Sequence, residues 1–233
     1  MSRVFLVLVI IFLLPSLVTG ECNVPSDRQI WLWWDPPEGE SKEHGMFVDK
    51  VIHIAIAGEE QAYLAAVTFP YRGRNFQRGS ILVRPKLQEA REMDQVGYHF
   101  GTVRNNFNGA GIIWTEGFGS GQGTTAGQKS VLYFDEWKPV ILHEMSVGDN
   151  LGQCGVELDL RECYAIKVAW TFIDLDNDRK DDLIEVVIQQ KGPSTDKLSW
   201  AVKVNTYLIK EGEVIPMSPP MRYDPNPAHR PGE

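Results

Sequence analysis

Alternation of apolar and polar positions with a period of two runs through most of the chain. In residues 51–57, Ile52, Ile54 and Ile56 share one face, with His53 and Ala55 on the other. That is the pattern of a half-buried strand. Gly58-Glu59-Glu60 follows and the apolar run 62–69 returns, which predicts a hairpin. Further strands are expected over 29–34, 80–83, 130–134, 139–145 and 156–160. The region from 164 onward reads as a meander over 164–173, 183–190, 200–209 and 214–217. Lys191-Gly192-Pro193-Ser194 and Glu211-Gly212 supply two of its turns. Helical spacing occurs over 87–95, where Leu87, Ala90 and Met93 fall on one side. The expected fold class is therefore mostly β, with antiparallel sandwich or meander sheets and one short surface helix.

Two stretches break this pattern. The first is glycine-rich. Residues 97–128 hold Gly101, Gly109, Gly111, Gly117, Gly119, Gly121, Gly123 and Gly127. Gly117-Phe118-Gly119-Ser120-Gly121-Gln122-Gly123 is not a phosphate loop, because no Gly-Lys-Ser/Thr and no apolar helix follow it. The glycines predict a long exposed loop with backbone freedom. Such loops often carry function.

The second is acidic. Asp174-Leu175-Asp176-Asn177-Asp178-Arg179-Lys180-Asp181-Asp182-Leu183-Ile184-Glu185 interrupts two apolar runs. Carboxylates crowded this closely repel one another unless a cation sits among them. The spacing matches the ligand positions of a calcium loop. Asp174, Asp176 and Asp178 stand at one, three and five, and the Lys180 carbonyl at seven. Asp182 falls at nine and Glu185 at twelve. Position six, where a sharp turn normally requires Gly, is Arg179. The flanks are rich in β-branched and aromatic residues, so strands rather than helices are expected on both sides.

With those flanks, residues 172–184 resemble the calcium loop of FG-GAP (VCBS-type) repeats. In that family an apolar strand leads into Asp-x-Asp-x-Asp-Gly-x-x-Asp-Leu and a second strand leaves it. The matching positions are Asp174, Asp176, Asp178, Asp182 and then Leu183, with Arg179 in place of the family's Gly. The resemblance covers about residues 165–188. It implies structural calcium and an adhesive or ligand-binding setting, and under it Glu185 begins the outgoing strand rather than serving as a ligand.

The N-terminus narrows the setting. Arg3, the apolar run 4–14 and the small residues Val18-Thr19-Gly20 predict a removable signal peptide over 1–20. The expected mature organisation is a single mostly-β domain over 21–217 and a disordered Pro-rich tail over 218–233. Loss of Arg3 with the leader takes the formal charge from −8 to −9. An acidic surface without blocks of Lys and Arg excludes nucleic acid as an expected partner. No membrane span is expected after signal cleavage, and the expected location is secreted or periplasmic.

Export makes disulfides plausible. Cys154 and Cys163 are near enough in sequence to close a short loop, a constraint of about 2.5–3 kcal/mol. Cys22 is then left free, bridges two chains, or replaces one of that pair. His53, His99 and His143 show no ligand spacing. Trp114, Trp137, Trp170 and Trp200 are expected in the core. Trp31, Trp33 and Trp34 are the surface candidates for stacking on a sugar. These features predict an exported, non-catalytic calcium-binding β protein serving ligand binding or adhesion, with a protein or glycan partner. The alternative is a secreted hydrolase of glycan or peptide whose calcium is structural.

Overall fold

The structure is a computed structural model and describes residues 24–154 and 162–223. The predicted signal peptide, Cys22, the strand expected at 156–160 and the end of the Pro-rich tail lie outside the described residues.

The fold is mostly antiparallel β with one short α-helix, as the alternation predicts. That helix, however, is α1 (Asp27–Trp33), where a strand was expected. Local chemistry decides it. The Ser26 side chain accepts the Gln29 amide, and the Gln29 side chain accepts the Ser26 amide. This reciprocal capping box satisfies two amides that a helix start otherwise leaves open. The surface assignment is overturned for Trp34, fully buried at the C-terminal end of the helix, while Trp31 and Trp33 are half-buried; Trp200, expected in the core, is exposed.

Four strands form the first sheet in sequence order: β1 (Phe47–Ile56), β2 (Glu60–Thr68), β3 (Arg78–Arg84) and β4 (Glu89–Glu92). The helix expected over 87–95 is instead β4, reached through a tight turn at 85–88, and Ala90 pairs with Val83. Leu87, Ala90 and Met93 have helical spacing, but the backbone partner offered by β3 overrides it.

The second sheet holds β5 (His99–Phe107), β6 (Ala110–Gly121), β7 (Thr124–Asp135), β8 (Lys138–Asp149), β9 (Cys163–Ile173), β10 (Asp182–Gly192), β11 (Ser199–Lys210) and β12 (Glu213–Pro216) as sequential neighbours. Also on it is β13 (Met221–Tyr223), paired with β11 inside the stretch expected to be disordered. The long glycine-rich loop is thus corrected to β5 and β6 with the start of β7. Its glycines serve close approach more than freedom. Trp114 lies across from Gly101, and Phe118 across from Gly127. A Cβ on Gly101 would come within 2.7 Å of the Trp114 indole nitrogen, and one on Gly127 within 2.3 Å of the Phe118 ring. A large aromatic ring covers each bare backbone position.

Strands β8 and β9 pair at only two positions, Gly148–Ile166 and Asp149–Ala165. Past that short seam they diverge, and the two halves of the sheet fold over one another. Val103, Ile112 and Val131 from β5, β6 and β7 pack with Leu183 and Ile209 from β10 and β11. The other face of β5–β7 packs on the first sheet, joining Phe100, Ile113, Leu132 and Phe134 to Ile54, Leu64 and Leu82. Beyond that sheet lies α1, with Ile30 and Trp34 over Tyr63, Val67, Ile81 and Ala90. Strand β2 is covered on both sides, which is why 62–67 is buried without alternation. Cys154 and Cys163 are bonded, with Cα atoms 5.0 Å apart. The bond links the segment after β8 to the first residue of β9.

Candidate calcium-binding turn

The acidic stretch forms the turn between β9 and β10. Ile173 pairs with Asp182 at its base, so strands flank it on both sides as expected. Three of the predicted ligands converge. Asp174, Asp176 and Asp182 each bring a carboxylate oxygen within 4.8 Å of the others. Calcium binds oxygens at 2.3–2.6 Å, so oxygens on opposite sides of one ion lie about 4.8 Å apart. The donor set is purely oxygen and anionic, which suits a hard divalent cation.

The turn is ordered by its own amides. Asp174 accepts the amides of Asp178 at 3.1 Å and Arg179 at 2.9 Å. Asp176 accepts the Asp178 amide at 3.2 Å, and Asp178 accepts the Lys180 amide at 2.9 Å. Asp178 is not part of the converging trio. Asn177 and Arg179 have φ of 65° and 68°. Arg179 therefore occupies the left-handed conformation for which position six normally carries Gly.

Asp182 differs from its companions. It is 1% exposed, and it accepts the amides of Leu175 and Ile209, both at 3.0 Å. These bonds tie the turn to β11. Asp181 points elsewhere. It accepts the Arg104 amide at 2.9 Å and pairs with the Arg104 guanidinium at 3.1 Å, docking the turn on β5.

Glu185 is not with the other candidate ligands. Successive strand residues face opposite ways, and Glu185 projects to the side opposite Asp182. There its Oε2 lies 2.9 Å from His143 Nε2 and accepts the Trp170 indole at 3.1 Å. Its Oε1 accepts Asn205 at 2.6 Å and the Tyr207 hydroxyl at 3.3 Å. Burial alone would raise its pKa, but the bonds from His143, Asn205 and Trp170 outweigh that and hold it below the usual carboxylate value. Burial, with Glu185 nearby, raises the Tyr207 hydroxyl to about 12.

Sequence spacing missed Lys210. Strand β11 brings its ammonium onto Asp176, and this bond lowers the Asp176 pKa and raises that of Lys210. Nothing in the local motif signals a residue supplied by the neighbouring strand. No known family model, curated protein or solved structure matches the chain.

Proposed function

We propose that the chain is an exported, non-catalytic calcium-binding β protein serving ligand binding or adhesion. Its calcium would clamp the β9–β10 turn in the manner of an FG-GAP-type loop. The convergence of Asp174, Asp176 and Asp182 carries this reading. Strand flanks on both sides of the turn and a disulfide support it, since disulfides persist outside reducing compartments. The buried Glu185–His143 pair supports the non-catalytic part. Each Glu185 oxygen already has two donors within reach, the arrangement of a structural network rather than of a general base awaiting a proton.

In this reading Lys210 is the cation that steadies Asp176 without calcium, and the incoming ion competes with it. Calorimetric titration of the purified protein with calcium should give saturable heat. Melting should rise by several degrees over a chelator-treated sample, as ligand linkage requires. Asp174→Asn should remove most of both effects. No heat and no melting difference at millimolar calcium would refute the proposal.

A further inference from the structure

The acidic chain contains one run of opposite character. Tyr71-Arg72-Gly73-Arg74-Asn75-Phe76-Gln77-Arg78 holds three arginines and no acid in a protein of formal charge −8. Arg72 is held through both terminal nitrogens, while its buried Nε has no hydrogen-bond partner among the described residues. Its Nη2 donates to Glu40 at 2.6 Å and Glu92 at 2.7 Å, and its guanidinium stacks 3.7 Å from the Phe69 ring centre. It anchors the segment and neutralises the two carboxylates beside it. Among the described residues, Arg74 and Arg78 have no carboxylate partner. Both are exposed.

These two arginines border a cleft of about 440 Å³ between this segment and the β6–β7 hairpin. Arg78 and Tyr98 also border an adjoining hollow of about 330 Å³ that is lined by Lys50 and by Asp49, whose carboxylate accepts the Thr68 hydroxyl. The walls are aromatic. Arg78 lies 5.4 Å from the Tyr98 ring centre, and the Tyr98 hydroxyl donates to the Phe118 carbonyl at 3.0 Å, which fixes that ring. Phe118 lines the cleft and is 38% exposed, whereas Phe76, 72% exposed, lines a neighbouring hollow instead. Asn75, Ser120 and Thr125 also line it, and their side chains make no hydrogen bond to another described residue.

We infer that this cleft binds an acidic sugar, a pyranose carrying a carboxylate or sulfate. Each part of the cleft answers one part of such a ligand. The planar guanidinium forks of Arg74 and Arg78 suit a carboxylate or sulfate. The aromatic faces suit the apolar C–H face of a ring. The free amide and hydroxyl groups suit sugar hydroxyls. The negative charge of the whole molecule disfavours the dense phosphate array of nucleic acid, so a local positive cleft with neutral donors fits a sparsely charged ligand better.

The inference deepens the ligand-binding part of the proposed function but rests on a separate site. Arg104, where the calcium turn docks, lies six residues along from Tyr98, roughly 20 Å of extended strand. Binding should therefore persist in chelator, so loss of calcium binding and loss of sugar binding are separate results.

The test is calorimetry of the full chain with tetragalacturonate, a heparin-derived tetrasaccharide, neutral maltotetraose and a pentaglutamate peptide. One or both acidic sugars should bind, with affinity falling as salt rises, while maltotetraose and the peptide bind far more weakly. Tetragalacturonate and the heparin fragment distinguish carboxylate from sulfate. Arg74→Gln with Arg78→Gln should weaken binding about tenfold or more, and Phe118→Leu, which removes an aromatic face lining the cleft, should weaken it without changing its salt dependence. Arg91→Gln, which removes an arginine paired with Glu89 outside the cleft, should leave it unchanged. Failure of both acidic sugars, equal binding of the neutral sugar or the peptide, or an unaffected double variant with native melting would each overturn the inference.

Discussion

At the scale of single residues, Arg179 shows how one side chain tunes the candidate site. Its φ of 68° is the conformation a calcium loop needs at that point, and a Cβ there costs about 1 kcal/mol or more. Gly would relieve that strain but adds unfolded-state entropy of similar size. Arg179→Gly should therefore change stability in chelator little. It also removes a positive charge beside the ligands, so it should tighten calcium binding, checked by titrating both proteins side by side. The need for a special conformation was legible in the sequence from the position of Arg179 alone. The role of Asp182 was legible only in part. Its place in the motif marks it as a candidate ligand, whereas its bond to the buried Ile209 amide depends on a strand that arrives later in the chain.

At the scale of elements, the strand pattern was readable where one face is buried and the other is wet, as in β1 and its return β2. It failed where local and tertiary preferences diverge. The span of α1 read as a strand because three tryptophans outweigh the capping box, and β4 read as a helix because its spacing is short enough to fit either period. The glycine-rich strands read as loop because glycine lacks strand propensity, while their partners supply the missing side-chain surface. This predicts a sharp contrast between neighbouring glycines. Gly127→Ala would place a Cβ 2.5 Å from the Gly117 carbonyl oxygen and 2.3 Å from the Phe118 ring, so backbone must move. It should cost about 1–3 kcal/mol. Gly119→Ala, with nothing within 4 Å, should be neutral or slightly stabilising. Urea unfolding of the two variants measures the difference, and equal effects would contradict the close-packed pairing.

At the scale of the whole molecule, the second sheet closes on itself through polar as well as apolar contacts. Asp181 ties the turn to β5, the Asn105 side chain donates to the Ile209 carbonyl at 2.7 Å, and Glu185 on β10 meets His143 on β8. The last contact gives a pH signature. Glu185 has a folded-state pKa below its reference of 4.5. Its contribution is therefore present above about pH 4.5 and lost as pH falls through the lower folded value. Glu185→Gln should lower stability at neutral pH by about 2–3 kcal/mol, because donors that now meet a carboxylate face an amide instead. It should also flatten the acid limb of the stability curve below pH 4.5. Unfolding at pH 7 and at successive steps below 4.5 reads both effects, and a parallel shift at every pH would show that Glu185 is not a source of the acid dependence.

The sequence by itself determined the β class, the hairpins around Gly58 and around the acidic turn, and the strand flanks of Asp174–Asp182, because period-two burial and turn chemistry are local. It also placed Asp174 and Asp176 together, since alternate residues of a tight turn project the same way, and the pairing of Ile173 with Asp182 at the base of the hairpin adds the third acid in place of Asp178. Only the tertiary structure decided which carboxylates stay together, because that depends on strands distant in sequence. β11 carries Lys210 to Asp176 and the Ile209 amide to Asp182, β5 draws Asp181 away, and β8 and β9 part to let Glu185 turn inward to His143. The arginine cleft belongs to the same class. Arg74 and Arg78 form a site only because Arg72 pairs with Glu40 and Glu92 and because β6 and β7 bring Phe118, Ser120 and Thr125 against them.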